Sequence, residues 1–129
     1  MEKMIEDILE GSKYTDLIAG FDMVNEEDFT PPIIEFVEEI LKGKTLDKKF
    51  ELPCYFHSGE THDRNNENVY DAFLLDSKRI AHGIQLSIRP HLIEMIKKKN
   101  ISIEACPLSN RILGYVNDLR NHPMRYLLC

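Results

Sequence analysis

Two histidines and a glutamate stand where short apolar segments run out. Leu52-Pro53-Cys54-Tyr55-Phe56 leads into His57, with Gly59 and Glu60 close behind, and Arg79-Ile80-Ala81 leads into His82, followed by Gly83. A glycine within two residues of each histidine permits a tight strand exit and close approach of a ligand. Imidazole serves as metal ligand or proton carrier near neutral pH, and a carboxyl group can act as acid or base beside it. The pattern therefore points to a metal ligand, a proton donor and a base around one pocket. One histidine after an apolar strand is more commonly structural. Glu60, three residues on, and His82, on a second strand tip, move the balance toward chemistry.

Other candidates read more plainly. Glu104 lies within Ile101-Ser102-Ile103-Glu104-Ala105-Cys106, where an unpaired charge is costly, so a buried pair with Arg79 or another cation is expected. Asp22, between Phe21 and Met23, is expected to accept backbone hydrogen bonds or to hold a neighbouring strand. His62 and His91, in a polar loop and at a helix start, are expected in solvent, and His122, before Pro123, is expected to open a helix. Asp63-Arg64-Asn65-Asn66-Glu67 reads as a solvated turn. Cys54, Cys106 and Cys129 have neither metal nor redox spacing, and two of them lie in apolar runs that favour buried free thiols. A mononuclear catalytic metal takes about three protein ligands and an open position. His57 is the one good donor, because Cys54 would point away from its strand tip.

The elements that must position these residues alternate between strand and helix. Residues 2–10 put Met4, Ile5, Ile8 and Leu9 on one helical face, with Gly11 at its end. Leu17-Ile18-Ala19-Gly20-Phe21-Asp22-Met23-Val24 reads as a strand buried on both faces. Thr30 caps and Pro31 opens a helix with the stripe Ile33, Phe36, Val37, Ile40 and Leu41, closed by Gly43. The strand ending at His57 leads through a polar loop to a helix that turns Val69, Ala72 and Phe73 inward. The strand ending at His82 leads to a helix opened by Pro90, with Leu92, Ile93 and Ile96 inward and Lys97-Lys98-Lys99 at its negative end. Residues 101–106 make a fourth strand, followed by a loop after Pro107 and a short helix near Pro123–Leu128. Each gap between strand ends holds one helix and two loops, the minimum for a right-handed crossover between parallel strands. The fold class is therefore α/β, with about four consecutive βα units. In such sheets chemistry gathers at the carboxyl ends of the strands, where Asp22, His57, His82 and Glu104 fall.

Composition narrows the function classes. A length of 129 residues suits one ordinary domain, and 43% hydrophobic with 29% charged residues describes a folded chain rather than a disordered one. A net charge of −6 argues against nucleic acid as main partner. No run of ~18 apolar residues predicts a membrane-spanning helix. Met1-Glu2-Lys3-Met4-Ile5-Glu6-Asp7 is acidic and amphipathic, unlike a secretory signal.

Five segments in order carry a family resemblance: Gly20-Phe21-Asp22-Met23-Val24, His57-Ser58-Gly59-Glu60-Thr61, Arg79-Ile80-Ala81-His82-Gly83, Ile103-Glu104-Ala105-Cys106-Pro107-Leu108-Ser109-Asn110 and Asp118-Leu119-Arg120-Asn121-His122-Pro123. Together they resemble the adenosine deaminase family over nearly the whole chain. The Arg-Asn-His-Pro ending is most similar to the secreted adenosine deaminase-related growth factors. The resemblance implies a (β/α)8 barrel, a partial TIM barrel here, with residues 1–129 as a fragment of a single catalytic barrel matching strands four to seven. It implies zinc as cofactor, with His57 as a ligand. Glu60 would protonate purine N1, which needs a carboxyl kept neutral by apolar surroundings. His82 would orient and deprotonate the water that attacks C6, a water whose pKa zinc lowers towards ~7. Asn25 stands where the family usually has a glycine whose amide faces the purine, and asparagine tolerates left-handed backbone angles. Asn25 and Glu60 would thus contact the substrate, and Asp22 and Glu104 would support the site. Ala81 replaces the usual glycine before His82.

The expected activity is zinc-dependent hydrolytic deamination of adenosine or deoxyadenosine to the inosine form and ammonia. The expected partner is a small nucleoside, with no nucleic acid and no membrane. The parent family allows a homodimer and an extracellular location. The family's His-x-His pair of the first strand and Asp-Asp pair of the eighth have no counterpart in these residues. The isolated chain is therefore expected to bind zinc weakly, to be inactive, and to be aggregation-prone through two open sheet edges. The rival expectations are a non-catalytic, growth-factor-like product acting through protein contacts, and a deaminase of another purine or nucleotide.

Overall fold

The computed structural model describes residues 3, 6, 7, 10, 19–45 and 52–128. Four short strands, β1 (Phe21–Met23), β2 (Cys54–Ser58), β3 (Arg79–His82) and β4 (Ser102–Glu104), form one sheet in sequence order. Every neighbouring pair is parallel, with Phe21 opposite Cys54, Phe56 opposite Ile80, and Ile80 opposite Ile103. Each crossover carries helix. Ile33–Phe36 runs as a tight 3-10 turn into α1 (Val37–Thr45) between β1 and β2. α2 (Asn68–Leu74) follows β2, and the 3-10 segment Ile84–Ile88 with α3 (Pro90–Lys99) follows β3. After β4 come α4 (Pro107–Ile112), the turn Leu119–Asn121 and α5 (Met124–Leu127).

Strand alternation divides the sheet chemically. Phe21, Cys54, Phe56 and Ile80 are buried and join Ile33, Ile40, Val69, Ala72, Phe73, Leu92 and Ile96 in a single core between sheet and helices. Asp22, Tyr55, His57, Arg79 and Glu104 alternate to the other face. Helix ends follow ordinary chemistry. Pro90 occupies the first turn of α3, and Asn100 ends it at φ 57° with its N–H on the carbonyls of Ile96 and Lys97.

Several boundaries differ from the sequence reading. Val24 is 63% exposed and Asp22 is also exposed, so the first strand is not buried on both faces; among the described residues it is an edge strand whose second face is uncovered. Leu17 and Ile18 lie outside the described residues, as do Met4, Ile5, Ile8, Leu9 and Gly11; Lys3, Glu6, Asp7 and Glu10 are helical and exposed. Thr30 caps no helix, because its hydroxyl donates back to the carbonyl of Glu26, and the helical segment begins at Ile33. Leu41 is half exposed, and α1 runs through Gly43 to Thr45 rather than closing there. The expected loop after Pro107 is helical, since proline at the first turn opens a helix as readily as it breaks one. Among the described residues no helix is long and apolar enough to cross a membrane.

Candidate active site

The candidate site assembles at the carboxyl ends of β2 and β3. β2 carries His57 to the rim, and the chain turns sharply through Gly59 at φ 80° to bring Glu60 back over the strand ends. A built Cβ on Gly59 would sit 2.6 Å from Val69 Cγ1, so the turn requires glycine in both conformation and space. A buried carboxylate, Glu27, holds this turn from the β1 side. Its Oε1 accepts from Gly59 N (3.0 Å) and Asn68 Nδ2 (2.8 Å), and its Oε2 accepts from Glu60 N (2.7 Å). β3 delivers His82 at φ 68°, followed by Gly83 at φ 61°. A left-handed non-glycine residue costs roughly 1–2 kcal/mol and bends the strand end away at once.

Glu60 and His82 are both buried and meet directly, His82 Nδ1 lying 3.0 Å from Glu60 Oε1. Asn110, fully buried within α4, places Nδ2 2.5 Å from the same oxygen and 3.1 Å from His82 Nδ1, and Ser109 Oγ donates to Glu60 Oε1 at 3.3 Å. Burial raises the Glu60 carboxyl above its ordinary range. The hydrogen bonds from Asn110 and Ser109 partly offset this, and the Glu27 charge reinforces it. Burial, with a further contribution from His57, pushes His82 down to about 4. The contact is therefore a hydrogen bond to a neutral imidazole rather than an ion pair.

His57 lies 5.2 Å from His82, ring centre to ring centre. Its Nδ1 is 3.0 Å from Asp22 Oδ1, while Asp22 Oδ2 accepts from Arg79 Nη2 (2.9 Å), and Arg79 Nη1 reaches Glu104 Oε2 (2.8 Å). A carboxylate on one ring nitrogen fixes the tautomer and leaves Nε2 as a donor, the usual support of a histidine metal ligand. This fits His57 as one zinc donor. Among the described residues no group of three His, Cys, Asp or Glu could hold an ion, so none of them completes a donor set around His57.

Of the expected site residues, His57, Glu60, His82, Asp22 and Glu104 come together. Glu104 does pair with Arg79, but it ends β4 with 46% of its side chain open, so the pair is not buried. Asn25 lines a cavity of about 190 Å³ with His57, Met23 and Phe36. It is not left-handed, and its Oδ1 accepts from Glu26 N, so the turn forms without glycine-like angles. Cys54 is buried, whereas Cys106 is only half buried because it lies past the end of β4. His62 and His91 are exposed as expected. His122 does lead into α5, its Nδ1 accepting from Met124 N at 3.1 Å, but it is also buried with Nε2 2.9 Å from Asn110 Oδ1. Glu27, Ser109, Asn110 and His122 escaped the sequence reading as site residues. Ser109, Asn110 and His122 lie in the segments that carry the resemblance, but their partners are up to 50 positions away, so their roles show only in the folded chain.

A family model described as adenosine deaminase matches residues 1–129. The chain belongs to the adenosine deaminase family. Adenosine deaminase 2 of Dictyostelium discoideum is 47% identical over 114 residues, covering 87% of this chain and 21% of that protein. Adenosine deaminase of Lutzomyia longipalpis is 43% identical over 118 residues, covering 90% of this chain and 22% of that protein. Human adenosine deaminase 2 is 39% identical over 119 residues, covering 90% and 23%. The chain thus spans about a fifth of the length of these relatives. Among solved structures, adenine deaminase from Arthrobacter aurescens superposes with a TM-score of 0.75 at 22% identity, covering 98% of this chain and 37% of that one. That likeness concerns the fold: four parallel βα units forming part of a (β/α)8 barrel.

Proposed function

We propose that these residues form part of the active site of a zinc-dependent hydrolase that converts adenosine or deoxyadenosine to the inosine form and ammonia. The buried Glu60–His82 pair carries this reading, because it sets a carboxyl held toward its protonated form against a neutral imidazole at two strand tips. Pairs of titrating groups driven apart in this way divide acid and base roles. Glu60 is the acid: its proton passes to purine N1, the O–H bond breaking as N–H forms, and C6 becomes electrophilic. His82 is the base: it orients the water on the C6 face and accepts its proton. The water oxygen bonds to C6; His82 then passes its proton to the amino group, the C6–N bond breaks to release ammonia, and the hydroxyl proton returns to Glu60 as the C6=O bond forms.

His57 would hold zinc, with Asp22 fixing its ring, and zinc when bound would supply Lewis-acid activation of the water. His57 alone is too few donors for tight binding, so four βα units by themselves bind zinc weakly and turn over little substrate. Asn25, beside His57 on the cavity wall, contacts the nucleoside. The resemblance to the secreted branch supports an extracellular enzyme, checked by whether activity collects in culture medium. The main test follows adenosine loss by ultraviolet absorbance, with and without zinc, in a complete deaminase barrel that carries residues 1–129. Turnover that depends on zinc and disappears in Glu60→Gln supports the reading; turnover indifferent to either change sinks it.

A further inference from the structure

We infer that Glu27 is a positioning residue for Glu60: its carboxylate reaches across from the turn after β1 and fixes the backbone that carries Glu60 at the strand tips. The purpose of this clamp rests on the deaminase reading, whereas its geometry does not.

The need for a clamp arises where β2 stops. Pairing with β3 ends at Ser58, and the N–H groups of Gly59 and Glu60 are no longer taken up by a neighbouring strand, although both residues are buried. Buried N–H groups require an acceptor. Glu27 supplies it from 32 and 33 positions away, Oε1 lying 3.0 Å from Gly59 N and Oε2 2.7 Å from Glu60 N. Asn68 Nδ2, at the start of α2, also donates to Oε1 at 2.8 Å, while Asn68 Oδ1 accepts from Ile33 N at 2.9 Å. The carboxylate is thereby held by α2 while it holds the turn. Its own carrier, the 3-10 turn Glu27–Phe29, is pinned on the outer side, where Tyr115 Oη donates to Asp28 Oδ2 at 2.9 Å.

Three N–H donors facing two oxygens demand a group that only accepts. Glutamine offers one oxygen and one NH2, so either orientation sets donor against donor. The clash falls at Glu60 N in one orientation and at Gly59 N and Asn68 Nδ2 in the other. The far end of Glu60 is gripped independently, Oε1 accepting from Asn110 Nδ2 and Ser109 Oγ of α4. With its backbone fixed from β1 and its side chain from α4, Glu60 has one place to stand. Releasing the backbone lets the turn shift and carries the carboxyl away from the purine. Glu27 acts through that placement and not on the reacting atoms.

A complete deaminase barrel that carries residues 1–129 provides the test. Hydrogen–deuterium exchange on peptides spanning Gly59 and Glu60 is expected to be slow in the unaltered barrel and fast in Glu27→Gln. Fast exchange in the unaltered barrel overturns the clamp whether or not a variant folds. Glu27→Gln is expected to lower kcat about 10²-fold, the scale of an ångström misplacement, with KM and zinc content near wild type. In the Glu60→Gln background the same change is expected to cost less than about threefold, because the group it positions is already gone. A wild-type kcat in Glu27→Gln, or an equal loss in both backgrounds, overturns the positioning role. An unaltered barrel that leaves adenosine intact removes the deaminase reading instead, and slow exchange abolished by Glu27→Gln then leaves the clamp standing.

Discussion

Burial at the rim pulls the site's titrating groups in opposite directions. His82 falls from its ordinary 6.5 to about 4 and His122 falls as well, while Glu60 rises. For the histidines, the unfolded chain binds protons that the folded chain refuses. For His82 that contribution to stability is complete above about 6.5 and is lost as pH falls through that value toward about 4, and His122 loses its own in the same direction. Glu60 acts with the opposite sign: the fold favours its protonated form, so its contribution is greatest in acid and declines as pH rises through its raised pKa. Urea midpoints are expected to drop between pH 7 and 4.5, and His82→Gln is expected to shallow that drop; an identical slope in the variant would show that His82 is not held neutral. At the same scale, Glu60→Gln keeps the Oε1 contacts but removes the acid. Its expected cost in kcat is about 10²–10⁴-fold, with the circular dichroism spectrum unchanged.

Elements matter here through the distances they bridge. Arg79 on β3 ties Asp22 on β1 to Glu104 on β4, and Asp22 also orients His57 on β2, so one ion network links all four strands beneath the site. Removing the Asp22 carboxylate as Asp22→Ala is expected to weaken zinc binding in the active enzyme about 10–100-fold, measured by competition with a chromophoric chelator. Unchanged affinity would mean that Asp22 supports only the sheet. Gly59→Ala places a methyl 2.6 Å from Val69 in a left-handed turn, with an expected loss of about 1–3 kcal/mol in chemical denaturation. The four strands and the tips His57 and His82 were legible because apolar runs ending in a histidine and glycine are local patterns. Helices with clear stripes, such as the one bearing Leu92 and Ile96, were equally legible. Glu27, Asn110 and His122 were not, because each acts on a residue brought near only by the completed sheet. The exposure of Val24 and Leu41 was hidden for the same reason: periodicity shows what could be buried, while neighbours decide what is.

For the whole molecule, the described residues leave β1 and β4 as edges and expose Leu108, Ile112 and Leu113 beside β4. Open parallel edges and apolar helix faces promote association. The isolated chain is expected to self-associate in sedimentation velocity and to bind zinc weakly; a cooperatively unfolding monomer holding one tight zinc would contradict this. The most direct test joins the chain to a barrel of known kind. Residues 1–129 would replace the matching segment of the Dictyostelium adenosine deaminase 2, to which they are 47% identical over 114 residues. Adenosine turnover would then be followed by ultraviolet absorbance. The expected result is zinc-dependent deamination that vanishes in Glu60→Gln. A folded chimera that binds zinc but leaves adenosine intact, or one whose turnover survives Glu60→Gln, would contradict the assignment of this segment as the acid-bearing part of a deaminase site.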